Sequence, residues 1–193
     1  MFTTEKFTSA DLLLLPEDNK RYELIEGELY VSRSPGFEHQ YTCNRLGRFL
    51  DQWNDLEDTG IVMTAPGLVF GDEDDVVPDV VWISRERLSK SVDEAGHLRA
   101  TPELVIEVIS PGKANEDRDR KSKLRLYSRR GAQEYWIVDW IRQQVEVYRR
   151  KRKRLTLTAT LHAQDQLDSP LLPGFSCEVA RLFFSLSPRK KQR

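Results

Sequence analysis

Cysteine is nearly absent from this 193-residue chain: Cys43 and Cys177 stand alone and far apart. Two such thiols cannot form a disulfide framework of the small secreted kind, and their separation matches no metal-ligand spacing. Both are expected to be free thiols in a reducing cytoplasm. No apolar run approaches the ~20 residues that a membrane-spanning helix needs. The first residues, Met1-Phe2-Thr3-Thr4-Glu5-Lys6, lack the basic-then-apolar plan of a signal peptide, so no membrane partner is expected. Charge of one sign is lacking too. A net charge of −1 announces no nucleic-acid partner for the chain as a whole. Internal repeats, low-complexity segments and a dividing linker are missing, which predicts one domain over residues 1–193 with its core at about 7–184.

What is present fits a soluble globular protein. A hydrophobic content of 39% against 32% charged residues leaves enough apolar surface for a sizeable core and a well-solvated exterior. The charge is unevenly spread, with an unbroken basic run at 149–154, a basic tail at 188–193 and an acidic cluster at 72–75. Each reads first as a solvated turn or frayed end, and the basic run reads second as a contact for a phosphate backbone.

The pattern predicts a short capped helix or turn at 7–15 and a hairpin at 22–31 around Glu26-Gly27. Cys43, Leu46, Leu50 and Trp53 form one stripe of an amphipathic helix over 38–56. Short strands are expected at 61–63 and 67–70, a stronger one at 76–83, and a helical turn with a loop at 84–100. A helix over roughly 117–130 closes at Gly131. Strands follow at 135–140, around Val145 and Val147, and on the sheet's periphery at 155–161. Residues 170–184 should pack back on the core.

The most informative stretch is Leu104-Val105-Ile106-Glu107-Val108-Ile109, bracketed by Pro102 and Ser110-Pro111-Gly112. It reads as a strand buried on both faces, with one carboxylate in its middle. The period of two puts Glu107 on a face with Val105 and Ile109, where an ionised carboxylate is costly unless a cation, a metal or several donors meet it. Asp79 interrupts the other apolar strand, on a face with Val77 and Val81. If these strands are neighbours, two carboxylates converge, and they repel unless a proton or a cation lies between them. A hard divalent ion with oxygen ligands, foremost Mg²⁺ with Mn²⁺ as a substitute, resolves that conflict.

Asp119, Lys123 and Tyr127 recur at four-residue steps on one helical face. On spacing alone Asp119 and Lys123 make an ordinary surface pair, and Tyr127 an ordinary core aromatic. The sharper reading brings the lysine near a phosphate or the attacking water, with Asp119 and Tyr127 beside the substrate. Gln40, at the start of the long helix, is either a polar helix-start residue or a contact to the metal's waters. His39 reads as a helix-start residue, Glu23 as a structural pair, and Asp139, Trp136 and Trp140 as structural.

These motifs, in order, resemble the Uma-type family of restriction endonucleases, a bacterial branch of the PD-(D/E)XK nuclease superfamily. The resemblance rests on Pro78-Asp79, on residues 102–111 around Glu107, on Asp119, Lys123 and Tyr127, and on residues 134–139. The hairpin and His39-Gln40 also fit, so that about residues 7–184 are covered. It implies an α/β fold with a restriction-endonuclease-like core, a mixed β-sheet flanked by helices, and an N-terminal β-hairpin. Asp79 and Glu107 would then hold Mg²⁺, with the Val108 carbonyl as a further ligand. Lys123 would orient or help deprotonate the attacking water, or stabilise charge on the phosphate. The superfamily's usual lysine position, two residues after the acid, is Ile109 here, so that role passes to Lys123. The implied activity is hydrolysis of phosphodiester bonds, in DNA, by a homodimer able to cut both strands. A catalytically silent nucleic-acid-binding or protein-interaction module of the same fold is the alternative. A metal-free hydrolase with paired acids is a weaker rival that leaves Lys123 without work.

Overall fold

The computed structural model describes residues 6–186, so the basic tail read at 188–193 lies outside the described residues. The chain opens with α1 (Ser9–Leu12), where Thr8 and Asp11 cap one another reciprocally. Strands β1 (Lys20–Ile25) and β2 (Glu28–Arg33) then pair antiparallel. Between them Glu26 and Gly27 both take positive φ, +57° and +77°, the two left-handed residues that the tightest hairpin turn requires. The expected helix is α2 (Phe37–Glu57), and it buries the predicted stripe of Cys43, Leu46, Leu50 and Trp53. His39 sits on the same stripe, one turn ahead of Cys43.

Next come β3 (Gly60–Thr64), β4 (Leu68–Gly71), β5 (Asp74–Val76) and β6 (Val80–Ser84), then α3 (Arg85–Leu88) and β7 (Leu104–Val108). One prediction needs correcting here. The strand expected at 76–83 is broken: β5 belongs to a small sheet ordered β2-β1-β5-β4, and β6 to a separate six-stranded sheet. Pro78, which has no N–H to donate, lies in the corner between them. Asp79 therefore stands at a sheet-to-sheet corner rather than inside a strand.

After β7 the chain runs through α4 (Lys113–Asp117), a π-helical segment at Arg118–Lys123, and α5 (Leu124–Arg130), closed by left-handed Gly131. It then forms β8 (Glu134–Asp139), β9 (Gln144–Lys151) and β10 (Arg154–His162). The large sheet is ordered β10-β9-β8-β7-β6-β3, with β7 parallel to β8 and antiparallel to β6. This is a mixed sheet whose parallel pair needs the helical crossover the chain supplies. The peripheral position expected for residues 155–161 is that of edge strand β10.

Alternation along β7 sorts its side chains between two cores. Leu104, Ile106 and Val108 join α2, Trp136 and the C-terminal residues Phe175, Leu182 and Phe183. Val105 and Ile109 join Leu126, Tyr127 and Tyr135 on the other face. Glu107 shares that second face, which directs it toward the π-helical segment. The acidic cluster at 72–75 is not simply a solvated turn, because Asp74 is buried and bonded to Arg129 and Arg130. In the basic run, Arg149 pairs with Glu134, and Arg150 donates to the Ala132 and Ser128 carbonyls. The rest of that run forms the exposed β9–β10 turn.

Candidate active site

The register of β6 against β7 pairs Val80 with Ile106, and one further step sets Asp79 opposite Glu107. Both carboxylates line one cavity of about 260 Å³ beside the β1–β2 hairpin. Asp79 is held firmly: its Oδ2 accepts the Val108 N–H at 2.8 Å and lies 3.3 Å from His39 Nε2. Its Oδ1 takes a longer contact, 3.3 Å from Arg21 Nη1. Glu107 is held from behind, because Lys123 Nζ and the Tyr127 hydroxyl both donate to Oε1 at 2.9 Å.

Lys123 does not form the surface pair with Asp119 that its spacing allows. It is 1% exposed, and its ammonium lies 2.9 Å from Glu107 Oε1 and 2.9 Å from Glu23 Oε1. Glu23 also accepts the Val77 N–H at 2.9 Å, which ties β1 to the Pro78 corner. Asp119 instead accepts from Arg118 Nε at 3.0 Å, while its Oδ2 is buried with no hydrogen-bond partner among the described residues. The π-helical segment turns Arg118, Asp119 and Lys123 all inward. Such wide turns are short and concentrate at functional sites.

The site is crowded with buried acids. Asp79, Glu107, Glu23 and Asp119 are four buried carboxylates, facing the cations Lys123, Arg118 and Arg21 together with His39. The crowding acts differently on the two cavity acids. Burial pushes the Glu107 carboxyl up to about 8, and Asp79, Asp119 and Glu23 add to the shift against the pull of Lys123. Burial acts on Asp79 in the same sense, but His39, Lys123 and the Val108 N–H hold it at about 2. The two neighbouring acids are thus shifted in opposite directions, because Asp79 has the closer donors and Glu107 the closer acids. Two carboxylates lining one cavity are an oxygen donor set that fits a hard divalent ion.

A second grouping is softer. Ligand atoms of His39, Cys43 and Asp79 lie within 4.8 Å of one another, with Cys43 Sγ 3.5 Å from His39 Nδ1. Cys43 thus stands among site residues despite lacking a metal-ligand spacing in the sequence. Burial, then Asp79 and Glu107, raise its thiol pKa, so a metal there would first have to displace a well-held proton. The oxygen pair is the better fit.

Among the expected residues, the structure brings Asp79, Glu107 and Val108 to the cavity wall. The contact shown for Val108 is made by its N–H to Asp79. Lys123, Tyr127 and Asp119 stand behind Glu107, buried, and none of them lines the cavity. Tyr127, read as a substrate contact, is fully buried and donates its hydroxyl to Glu107. Gln40 is exposed and does not line the cavity either. Sequence reasoning set aside Glu23 and His39 and passed over Arg21 and Arg118. Glu23 carried the same cue as Glu107, an acid in an apolar strand, and His39 extends the buried stripe of α2.

The mixed sheet flanked by helices, with its N-terminal hairpin, is a restriction-endonuclease-like fold. The sequence matches the Uma2 family, described as a putative restriction endonuclease, over residues 9–180, and the chain belongs to that family. The fold is similar to that of a putative nuclease from Anabaena variabilis, with a TM-score of 0.72 at 19% identity, covering 92% of this chain and 97% of that one. The type IIG restriction endonuclease BpuSI aligns more loosely, with a TM-score of 0.38 at 14% identity over 75% of this chain and 14% of its own. No curated protein matches the chain. Among the described residues, no helix is long and apolar enough to cross a membrane.

Proposed function

We propose that this protein is a metal-dependent endonuclease that hydrolyses phosphodiester bonds in DNA, with Mg²⁺, or Mn²⁺ in its place, held by Asp79 and Glu107. The observation that carries the reading is the pair of buried carboxylates, Asp79 and Glu107, that line one cavity. A bound divalent ion supplies Lewis acidity toward a phosphate oxygen and makes water a better nucleophile at neutral pH. The chain's own residues prepare the place. The Val108 N–H and His39 fix the Asp79 carboxylate. Lys123 and Tyr127 fix that of Glu107, so both are positioning residues that act through it. Lys20, Arg21 and Arg33 on the hairpin wall offer cations to the strand's phosphates. The full assembly in this proposal is a cytoplasmic homodimer, in which two sites would reach both strands.

The test is a cleavage assay on mixed DNA substrates with Mg²⁺ or Mn²⁺, run beside Glu107→Ala, with metal binding followed by titration. We expect metal-dependent cleavage by the natural protein, and loss of both cleavage and saturable metal binding in the variant. DNA binding with no cleavage and no metal uptake by either protein would establish the silent module instead.

A further inference from the structure

Arg21 occupies the oxygen that an ion on Asp79 would need. Oδ2 of Asp79 is committed to a fixed backbone donor, the Val108 N–H at 2.8 Å, and faces His39. Among the described residues, Oδ1 has one hydrogen-bond partner, Arg21 Nη1 at 3.3 Å, and the same nitrogen donates to the Val77 carbonyl at 3.2 Å. A contact that long is weak for a charge-assisted bond. The Arg21 side chain is 30% exposed, against 6% for Asp79, so the guanidinium has solvent to move into.

The other cavity cations differ. Lys20 pairs with Asp18 at 2.6 Å, and Arg118 pairs with Asp119 at 3.0 Å. Neither touches a carboxylate assigned to the ion. Arg33 lies across the hairpin from Lys20, at the cavity lip. Arg21 alone, among the cavity-lining lysines and arginines, holds a ligand oxygen of the proposed site.

We propose that Arg21 is an exchangeable counter-cation, which neutralises Asp79 until a divalent ion displaces it and then turns its freed guanidinium to a phosphate of the bound strand. This rests on the assignment of the ion to Asp79 and Glu107. An ion and a guanidinium cannot share Oδ1 without strong like-charge repulsion, so their binding is antagonistic. A guanidinium beside the ion then matches the paired oxygens of a phosphate. The exchange links metal uptake to substrate binding: the ion costs Asp79 its arginine, and the strand gains that arginine.

The test measures binding rather than turnover. Mn²⁺ is titrated calorimetrically into the natural protein, Arg21→Gln, Arg21→Lys and Asp79→Asn, and duplex DNA binding is measured with Ca²⁺ in place of the active ions. Removing the competing cation should tighten Mn²⁺ binding by about threefold to tenfold in Arg21→Gln, the range expected for losing one half-exposed ion pair. DNA binding should weaken by a similar factor, while Arg21→Lys, which keeps the charge, should stay near the natural protein in both measurements. Unchanged or weaker Mn²⁺ binding in Arg21→Gln, with binding intact in the natural protein and lost in Asp79→Asn, would overturn the exchange and leave Arg21 as a structural pin between β1 and Val77. Mn²⁺ binding by none of the four proteins would overturn the metal assignment itself, and the exchange with it. If Arg21→Gln melts too early to be titrated, Arg21→Met decides: it also removes the charge, so Mn²⁺ binding tighter than natural supports the exchange, and unchanged or weaker binding refutes it.

Discussion

Replacing Lys123 with methionine keeps most of the side-chain volume and removes the one ammonium that two buried carboxylates share. Glu107 Oε1 and Glu23 Oε1 each lie 2.9 Å from that nitrogen, and all three side chains are no more than 2% exposed. At the effective dielectric that describes protein sites, each such contact is worth on the order of 5 kcal/mol before desolvation is subtracted. The desolvation of three ions offsets much of that attraction, so the intact cluster contributes little net stability. Breaking it is another matter. The variant keeps the cost of burying the carboxylates and loses the attraction, and such losses run to about 3–5 kcal/mol. That is a large part of the ~5–15 kcal/mol that holds a typical domain folded. Urea denaturation of the natural protein, Lys123→Met, Glu23→Gln and the double variant forms the assay. The double variant should recover at least about 1 kcal/mol of the Lys123→Met loss, because one orphaned charge has been neutralised. A Lys123→Met loss under about 1 kcal/mol, or no recovery in the double variant, would refute the claim that this ammonium is the clamp between the two acids.

Other outcomes follow from the same geometry. Mn²⁺ should raise the melting temperature of the natural protein and leave that of Asp79→Asn unmoved, since a ligand stabilises only the state that binds it; equal shifts in thermal melts of both would place the ion elsewhere. Asp74 bears on acid stability. Burial works to raise its pKa, but the Glu26 N–H, Arg130 and Arg129 win and hold it below the usual carboxylate value. Its folded pKa is depressed, so its contribution is complete above about pH 4 and is lost as pH falls through the folded value. The stability gap between the natural protein and Asp74→Asn, read from denaturation at stepped pH, should therefore close on acidification. Trp136 is fully buried, stacks on Phe175 at 5.9 Å and donates to Glu134 at 2.9 Å. Trp136→Ala should cost about 3–5 kcal/mol in the same denaturation assay, and a loss below 1 kcal/mol would mean the core collapses around the gap.

Local patterns made much of this fold legible. The stripe of α2, the Glu26-Gly27 turn, the fully buried β7 and the edge position of β10 each follow from periodicity or turn chemistry within a few residues. Glu107 was legible for the same reason, as a charge where the pattern demands none. What stayed hidden is non-local. Nothing around Lys123 says that Glu23, from a hairpin far upstream, will meet its ammonium. The four-residue spacing of Asp119, Lys123 and Tyr127 pointed to an ordinary helix, whereas the segment at Arg118–Lys123 is wound as a π-helix. That widening has no sequence code comparable to a cap or a glycine, and it is decided by what the side chains meet inside. The corner at Pro78 was half legible: proline announced a missing donor, but not that the chain would leave one sheet for another.

The buried charges themselves say most about what the fold is for. A hydrophobic cluster of similar volume in place of Glu23, Glu107, Asp119, Arg118 and Lys123 would commonly be as stable or more so. At this site the chain instead gathers the four buried carboxylates of Glu23, Asp79, Glu107 and Asp119, with one Asp119 oxygen lacking a hydrogen-bond partner among the described residues and the Glu107 carboxyl pushed above its ordinary value. A wide helical turn and a sheet-to-sheet corner serve to assemble them. Under the proposed function such an arrangement makes physical sense, since the stability given up in the free protein would become binding energy for a cation and then for a phosphate.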